Sequence, residues 1–370
     1  MYDAPKKRPA DNGGIIQAVI PAKGDEPFVL ARKSVFCVSF LTCLICLGLI
    51  IAKAVSGGDD TAGEALPVFW EDEYIEGSLY IEPTVIPERP QVIKNTEIIP
   101  EYLEYYEIND DVVGWIEIPG TTLDNVVTQY RRFDENGMPT GSNAYYLEHD
   151  LYHNYYYDGI IFADWRLSVL EDPTPDNTIL FGHNLNNGTK FAPVARYYPY
   201  YYNWPTPHIN HYVANPVIRF DTLYERREYK VFAAIYAHTE DNRADIIHDV
   251  FNYHLVRKFP DKASFYGYIT DVLDRSGFYN PDVDIEYGDE IITLSTCYYP
   301  LGEHIDSRIA VFARRVRDGE SPEVDVSTAW LNPSPLLYDY YYTSQGGSWG
   351  GRNWDLSMVK GLEDWLAKQG

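Results

Sequence analysis

Residues 289–316, DEIITLSTCYYPLGEHIDSRIAVFARRV, decide how this chain is read. Two apolar runs, 291–297 and 308–316, flank a polar loop with Pro300 and Gly302, which predicts two consecutive β-strands joined by a turn. Pairing those strands would set Cys297, at the end of the first, beside Arg308, at the start of the second. Six further short runs with strand character lie upstream: 115–118, 126–130, 160–164, 178–182, 217–222 and 229–237. Eight such runs predict a mainly β protein, an eight-stranded closed or nearly closed barrel.

Helical patterns frame the strands. Pro100 suits the first turn of a short helix carrying Leu103 and Tyr106 on one face. Between the sixth and seventh strands an insertion of more than 50 residues must carry its own structure. There Asp261 is placed to cap a helix whose Phe265, Ile269, Val272 and Leu273 share a face, with a stop expected at Gly277. Beyond Val316 the chain is rich in Pro, Gly, Tyr and Trp. A last helix is expected at 355–368, its Leu356, Val359, Leu362, Trp365 and Leu366 forming a stripe for docking onto the same domain.

The strand ends carry the chemistry. A thiol attacks as thiolate, and a guanidinium beside it favours that form or binds an oxyanion growing on the attacked carbonyl. The missing part is a group that protonates a leaving amine, and His183 in NTILFGHN also sits at a strand end, where a barrel rim exposes it. Singly, each residue has a plain structural reading: an inert buried thiol, a hydrogen-bonded histidine, a surface charge. Nine histidines offer rivals. His304, seven residues after Cys297, competes as the base, while His208 and His211 lack the further ligands that a metal centre needs. No metal and no cofactor is therefore expected.

The chain of 370 residues is 45% hydrophobic, enough for a sizeable core, and its formal net charge of -25 argues against a nucleic-acid partner. Residues 35–52, VFCVSFLTCLICLGLIIA, hold no charge, and 18 residues at about 1.5 Å each nearly span a bilayer core of about 30 Å. Lys and Arg precede this run, whereas Asp59 and Asp60 follow it, so the N-terminus is expected to be cytoplasmic and the rest outside. The competing reading is a cleaved signal peptide ending near Ala52-Lys53-Ala54, for which the leader is long. Three of the four cysteines fall within the apolar run, leaving Cys297 as the lone exported thiol. The expected organisation is a cytoplasmic tail (1–34), membrane anchor (35–54), extracellular stalk (55–96), catalytic domain (97–318) and C-terminal extension (319–370).

TLSTC followed eleven residues later by Arg308, with an upstream GHN, resembles the signature of sortases, the cysteine transpeptidases of Gram-positive surfaces. NDDVVGWIEIPGTTLDNVV (109–127), YYL (145–147), GIIFADWR (159–166) and NTILFGHNLNNGTKF (177–191) resemble class B sortases in the same order. The resemblance spans about residues 97–316. It implies a nucleophile at Cys297, an acid/base at His183, a substrate or oxyanion stabiliser at Arg308, and Ser295 and Thr296 lining the substrate site. It also implies cleavage of a C-terminal sorting signal after Thr through a thioester. Transfer then follows to an amine of peptidoglycan precursor or a pilin subunit, with specificity read partly by the helical insertion. Tyr298 and Tyr299 depart from the pattern, since many class B members carry an acidic residue just after the cysteine.

Two other classes compete. A papain-like hydrolase of peptide or peptidoglycan also uses Cys and His but orders them Cys first, leaving only His304 for that role. An anchored scaffold with a merely buried Cys297 is the non-enzymatic reading.

Overall fold

The computed structural model describes residues 97–170, 174–201, 206–239, 250–300, 306–337, 341 and 347–368. The expected tail, membrane span and stalk, with Cys37, Cys43 and Cys46, lie outside the described residues, as does the segment with His304. Among the described residues no helix is long and apolar enough to cross a membrane.

All eight strand-like runs form strands: β1 (Val112–Glu117), β2 (Asp124–Thr128), β3 (Ile161–Ala163), β4 (Asn177–Phe181), β5 (Val217–Thr222), β6 (Glu228–Ala237), β7 (Ile291–Cys297) and β8 (Arg308–Arg315). They close into a barrel in the order β1-β2-β3-β4-β7-β8-β6-β5. β2–β3 and β4–β7 pair in parallel and the other neighbours antiparallel. Closure leaves no free edge in the barrel.

Successive strand residues point to opposite faces, so two apolar layers form. Ile292 and Leu294 of β7 with Ile309 and Val311 of β8 fill the interior. Ile291, Ala310 and Phe312 face outward and pack beneath the insertion. Cys297 and Arg308 share the parity of this outer set. The barrel's outer face, where the insertion covers it, therefore carries the strand-end chemistry.

Helix α1 (Pro100–Ile108) opens the domain with proline in its first turn, and its Tyr102 hydroxyl donates to Asp221 on β5 at 2.6 Å. Short helices α2 (Ala192–Ala195) and α3 (Asn210–Ala214) lie between β4 and β5. The insertion carries α4 (Lys262–Arg275), started by a reciprocal cap in which Asp261 accepts from the Ser264 amide at 2.8 Å. Phe265, Ile269, Val272 and Leu273 are all buried, as their spacing predicts. The helix stops at an extended Ser276 rather than at a left-handed Gly277. Gly277 is required for another reason, because a β-carbon there would run into the Pro199 ring.

Residues after β8 fold back over the insertion. Trp330–Leu331 adds antiparallel to Phe278–Tyr279, and Val359–Lys360 adds in parallel to Ile285–Glu286. Between these contacts Arg352 and the Trp354 indole both donate to Asp274 of α4, at 2.9 and 2.7 Å. The terminal helix is shorter than 355–368: a 3-10 turn at Leu356–Met358 precedes α5 (Leu362–Leu366). Val359 and Leu362 are buried, while Leu366 stays exposed at the end of the stripe.

Candidate active site

The antiparallel register of β7 with β8 ends on the pair Cys297 and Arg308. Residues directly opposite in such a ladder hold their β-carbons about 4.5–5.5 Å apart on one face. Cys297 is a free, partly exposed thiol. On its other side β7 runs parallel to β4, with Ser295 opposite Phe181. Two side-chain bonds continue that seam past the end of β4. The Thr296 hydroxyl donates to the Gly182 carbonyl at 2.7 Å, and the Asn184 amide donates to the Cys297 carbonyl at 3.1 Å. His183 lies between these two fastenings. Gly182 allows the approach, since a β-carbon there would sit 2.7 Å from Ile161 and 2.9 Å from Phe191.

The imidazole is oriented as well. Nε2 of His183 lies 2.9 Å from the Leu147 carbonyl oxygen. A carbonyl only accepts, so Nε2 carries a proton and Nδ1 is the nitrogen left to exchange one. YYL at 145–147, singled out in the sequence as a motif, supplies this contact from a short 3-10 turn.

Arg308 is buried and ion-paired to the equally buried Asp306. Its Nη1 also donates to the Ser307 carbonyl at 3.0 Å. Asp306 receives the Thr239 hydroxyl, and its carbonyl accepts from His238 Nδ1 at 3.0 Å. Burial alone would lower the basicity of Arg308, but the negative charges of Cys297 and Asp306 outweigh it and push it above its ordinary value. Burial, followed by the charge of Cys297, raises the Tyr299 phenol well above the ordinary tyrosine range. The Tyr299 ring stands 6.0 Å from the Arg308 guanidinium. His254 sits near the same guanidinium and is pushed down to about 3, chiefly by burial and then by Arg166.

The hydroxyls of Ser295 and Thr296 are engaged inside the wall: Ser295 pairs with the Tyr253 hydroxyl at 2.8 Å, and Thr296 with Gly182 as above. Both residues are buried, so they hold β7 in place between its neighbours. His211 is packed edge-on to Tyr197 at 4.6 Å and pushed down to about 4, first by burial and then by Arg196. Asp306 is the member that sequence reading passed over. Its signal was faint, a lone acid two residues before Arg308 and nine after Cys297. It supplies a carboxylate in a chain whose Tyr298 and Tyr299 replace the expected acid.

No family model matches the sequence. Curated relatives do. Sortase B of Listeria monocytogenes is 29% identical over 203 residues, 55% of this chain and 69% of that protein. Sortase B of Staphylococcus aureus is 29% identical over 218 residues, 59% of this chain and 75% of that protein. A solved Staphylococcus aureus sortase B-substrate complex is 26% identical, with a TM-score of 0.47 over 60% of this chain and 87% of that one. With a cysteine at the mouth of a closed eight-stranded barrel, these relatives make the chain a cysteine transpeptidase of the sortase class. Within that class it is a class B sortase.

Proposed function

We propose that this sortase cleaves a C-terminal sorting signal after Thr and transfers the acyl group, by way of a thioester on Cys297, to an amine of peptidoglycan precursor or a pilin subunit. The observation that carries the reading is the junction of three strands at which Cys297 faces Arg308 while two hydrogen bonds clamp His183 alongside. The Cys297 thiolate attacks the Thr carbonyl, and the buried Arg308 guanidinium holds the oxyanion. His183, held by Leu147 through Nε2, takes the proton of the Cys297 thiol on Nδ1 and passes it to the departing amine as the C–N bond breaks. An acceptor amine then attacks the thioester, His183 takes its proton, and the Cys297 sulfur leaves.

The apolar run 35–52 supports a single-pass anchor with the N-terminus cytoplasmic, the stalk 55–96 as spacer and the catalytic domain outside the cell. Partners on this reading are secreted proteins bearing sorting signals. A panel of peptides with Thr-Gly or Thr-Asn junctions, incubated with the protein, should leave an acyl adduct on Cys297 seen by intact mass and absent in Cys297→Ala. No adduct across the panel would favour a scaffold. Retained activity in His183→Ala with loss in His304→Ala would return the papain-like reading.

A further inference from the structure

A cavity of about 370 Å³ opens beside the His183 segment, lined by Asn184, Leu185, Asn186, Gly188, Ala192, Arg196 and Tyr201. Its volume falls within the roughly 300–1,000 Å³ of small-ligand sites. It adjoins the reaction centre on two sides. Asn184 bonds the Cys297 carbonyl at 3.1 Å, and Tyr201 stacks on Tyr298, the residue after the nucleophile, at 5.3 Å between rings. The wall is ordered by a β-bridge between Asn184 and Lys190 and by the Thr122 hydroxyl donating to the Gly188 carbonyl.

Arg196 gives the cavity its character. The protein carries a net charge of -25, and its described arginines are mostly tied to carboxylates: Arg132, Arg166, Arg219, Arg226, Arg308 and Arg352 are examples. Arg196 is exposed and makes no ion pair among the described residues. Its Nη2 lies over the loop, 3.7 Å from where a β-carbon of Gly188 would stand. Its titratable neighbour is His211, which stays neutral and so adds no counter-charge.

Resting on the transfer reaction above, we infer that this cavity seats the acceptor, and that the acceptor is an α-amino acid end whose free carboxylate pairs with Arg196. The side follows from the chemistry. His183 protonates the leaving amine and must deprotonate the incoming one, so both amines occupy the His183 side of the thioester, where this cavity lies. Arg196 orients the acceptor through the carboxylate, bidentate if both oxygens engage, while its charge disfavours an ammonium and leaves the amine neutral for attack. The amine nitrogen bonds to the thioester carbon, its proton passes to His183, and the C–S bond breaks to return the Cys297 thiolate. Asn184 and Asn186 line the same cavity.

The test compares alanine with alaninamide, which differ only in the free carboxylate. On acyl-enzyme formed with an active peptide from the panel, alanine should be the better acceptor by tenfold or more over alaninamide. Arg196→Ala should erase that ratio, and Arg196→Lys should restore part of it. A ratio near one in the parent protein, or one that Arg196→Ala leaves intact, overturns the inference. A second arm needs no turnover. In Cys297→Ala, alanine but not alaninamide should slow phenylglyoxal modification of Arg196, read by peptide mass spectrometry. Equal rates with both overturn the inference whether or not any peptide acylates Cys297, whereas protection without acylation keeps the subsite and sinks the transfer reading.

Discussion

At the scale of single residues, Asp306 is the most informative position. It neutralises a guanidinium that the barrel buries, and removing one partner of a buried pair leaves an uncompensated charge. Asp306→Asn is expected to lower stability by about 3–5 kcal/mol and to slow acylation of Cys297. Denaturant unfolding and single-turnover mass spectrometry check the two effects. Pairing Asp306→Asn with Arg308→Met should recover much of the stability without recovering acylation, because no charge is then left buried without its partner. Recovery of both would remove Arg308 from the mechanism. Cys297 and Arg308 were legible in the sequence because both stand at strand termini facing one another across a loop. Asp306 was not, since its partner is set by how β8 enters the barrel rather than by local pattern. The internal roles of Ser295 and Thr296 were hidden likewise, for their hydroxyls answer to Tyr253 and Gly182, residues distant in sequence.

Among elements, the eight barrel strands could be read from short apolar runs between turn residues, and α4 from an acidic cap ahead of a 3.6-residue apolar stripe. The C-terminal strands could not. Trp330–Leu331 and Val359–Lys360 are two residues each and become strands only through pairing with the insertion. Their burial makes the extension part of the fold's stability. Trp354, Met358, Val359 and Leu362 are all buried, and burying a large apolar side chain stabilises by about 1.5–3 kcal/mol. A chain ending at residue 318 should therefore lose stability on the order of 5 kcal/mol, or fail to fold. Trp354→Ala, a gentler test, should cost about 3–5 kcal/mol and free the Asp274 carboxylate from one of its donors. A thermal midpoint unchanged in both variants would mean that the extension packs without stabilising. Contact also runs toward the site: Asn332 accepts from the Tyr200 hydroxyl, and the Tyr200 carbonyl accepts from Tyr298.

For the molecule as a whole, acid should unfold the protein earlier than its carboxylates alone would predict. His254 and His211 are pushed down to about 3 and about 4, while in the unfolded chain both regain an ordinary value of about 6.5. Between those limits the unfolded state binds more protons than the native one, so stability is full above about pH 6.5 and falls as the pH drops toward 4. The expected slope is on the order of 1–2 kcal/mol per pH unit, and urea unfolding at several pH values in that window measures it. Flat stability from pH 7 to 5 would contradict the burial of these two imidazoles in neutral form. Below that range Asp164 adds to the loss. Burial opposes its charge, yet Arg166 and Arg257 hold its carboxyl below the usual range, and that support disappears once it is protonated.

The bonds that clamp His183 to β7 join residues 114 and 113 positions apart. Contacts of such sequence separation form late, once loop closure over the intervening chain has been paid for. A chain still being synthesised thus carries the Cys297 thiol without His183 held beside it. The juxtaposition of His183 with Cys297 therefore exists only once the barrel has closed, and folding itself assembles the site.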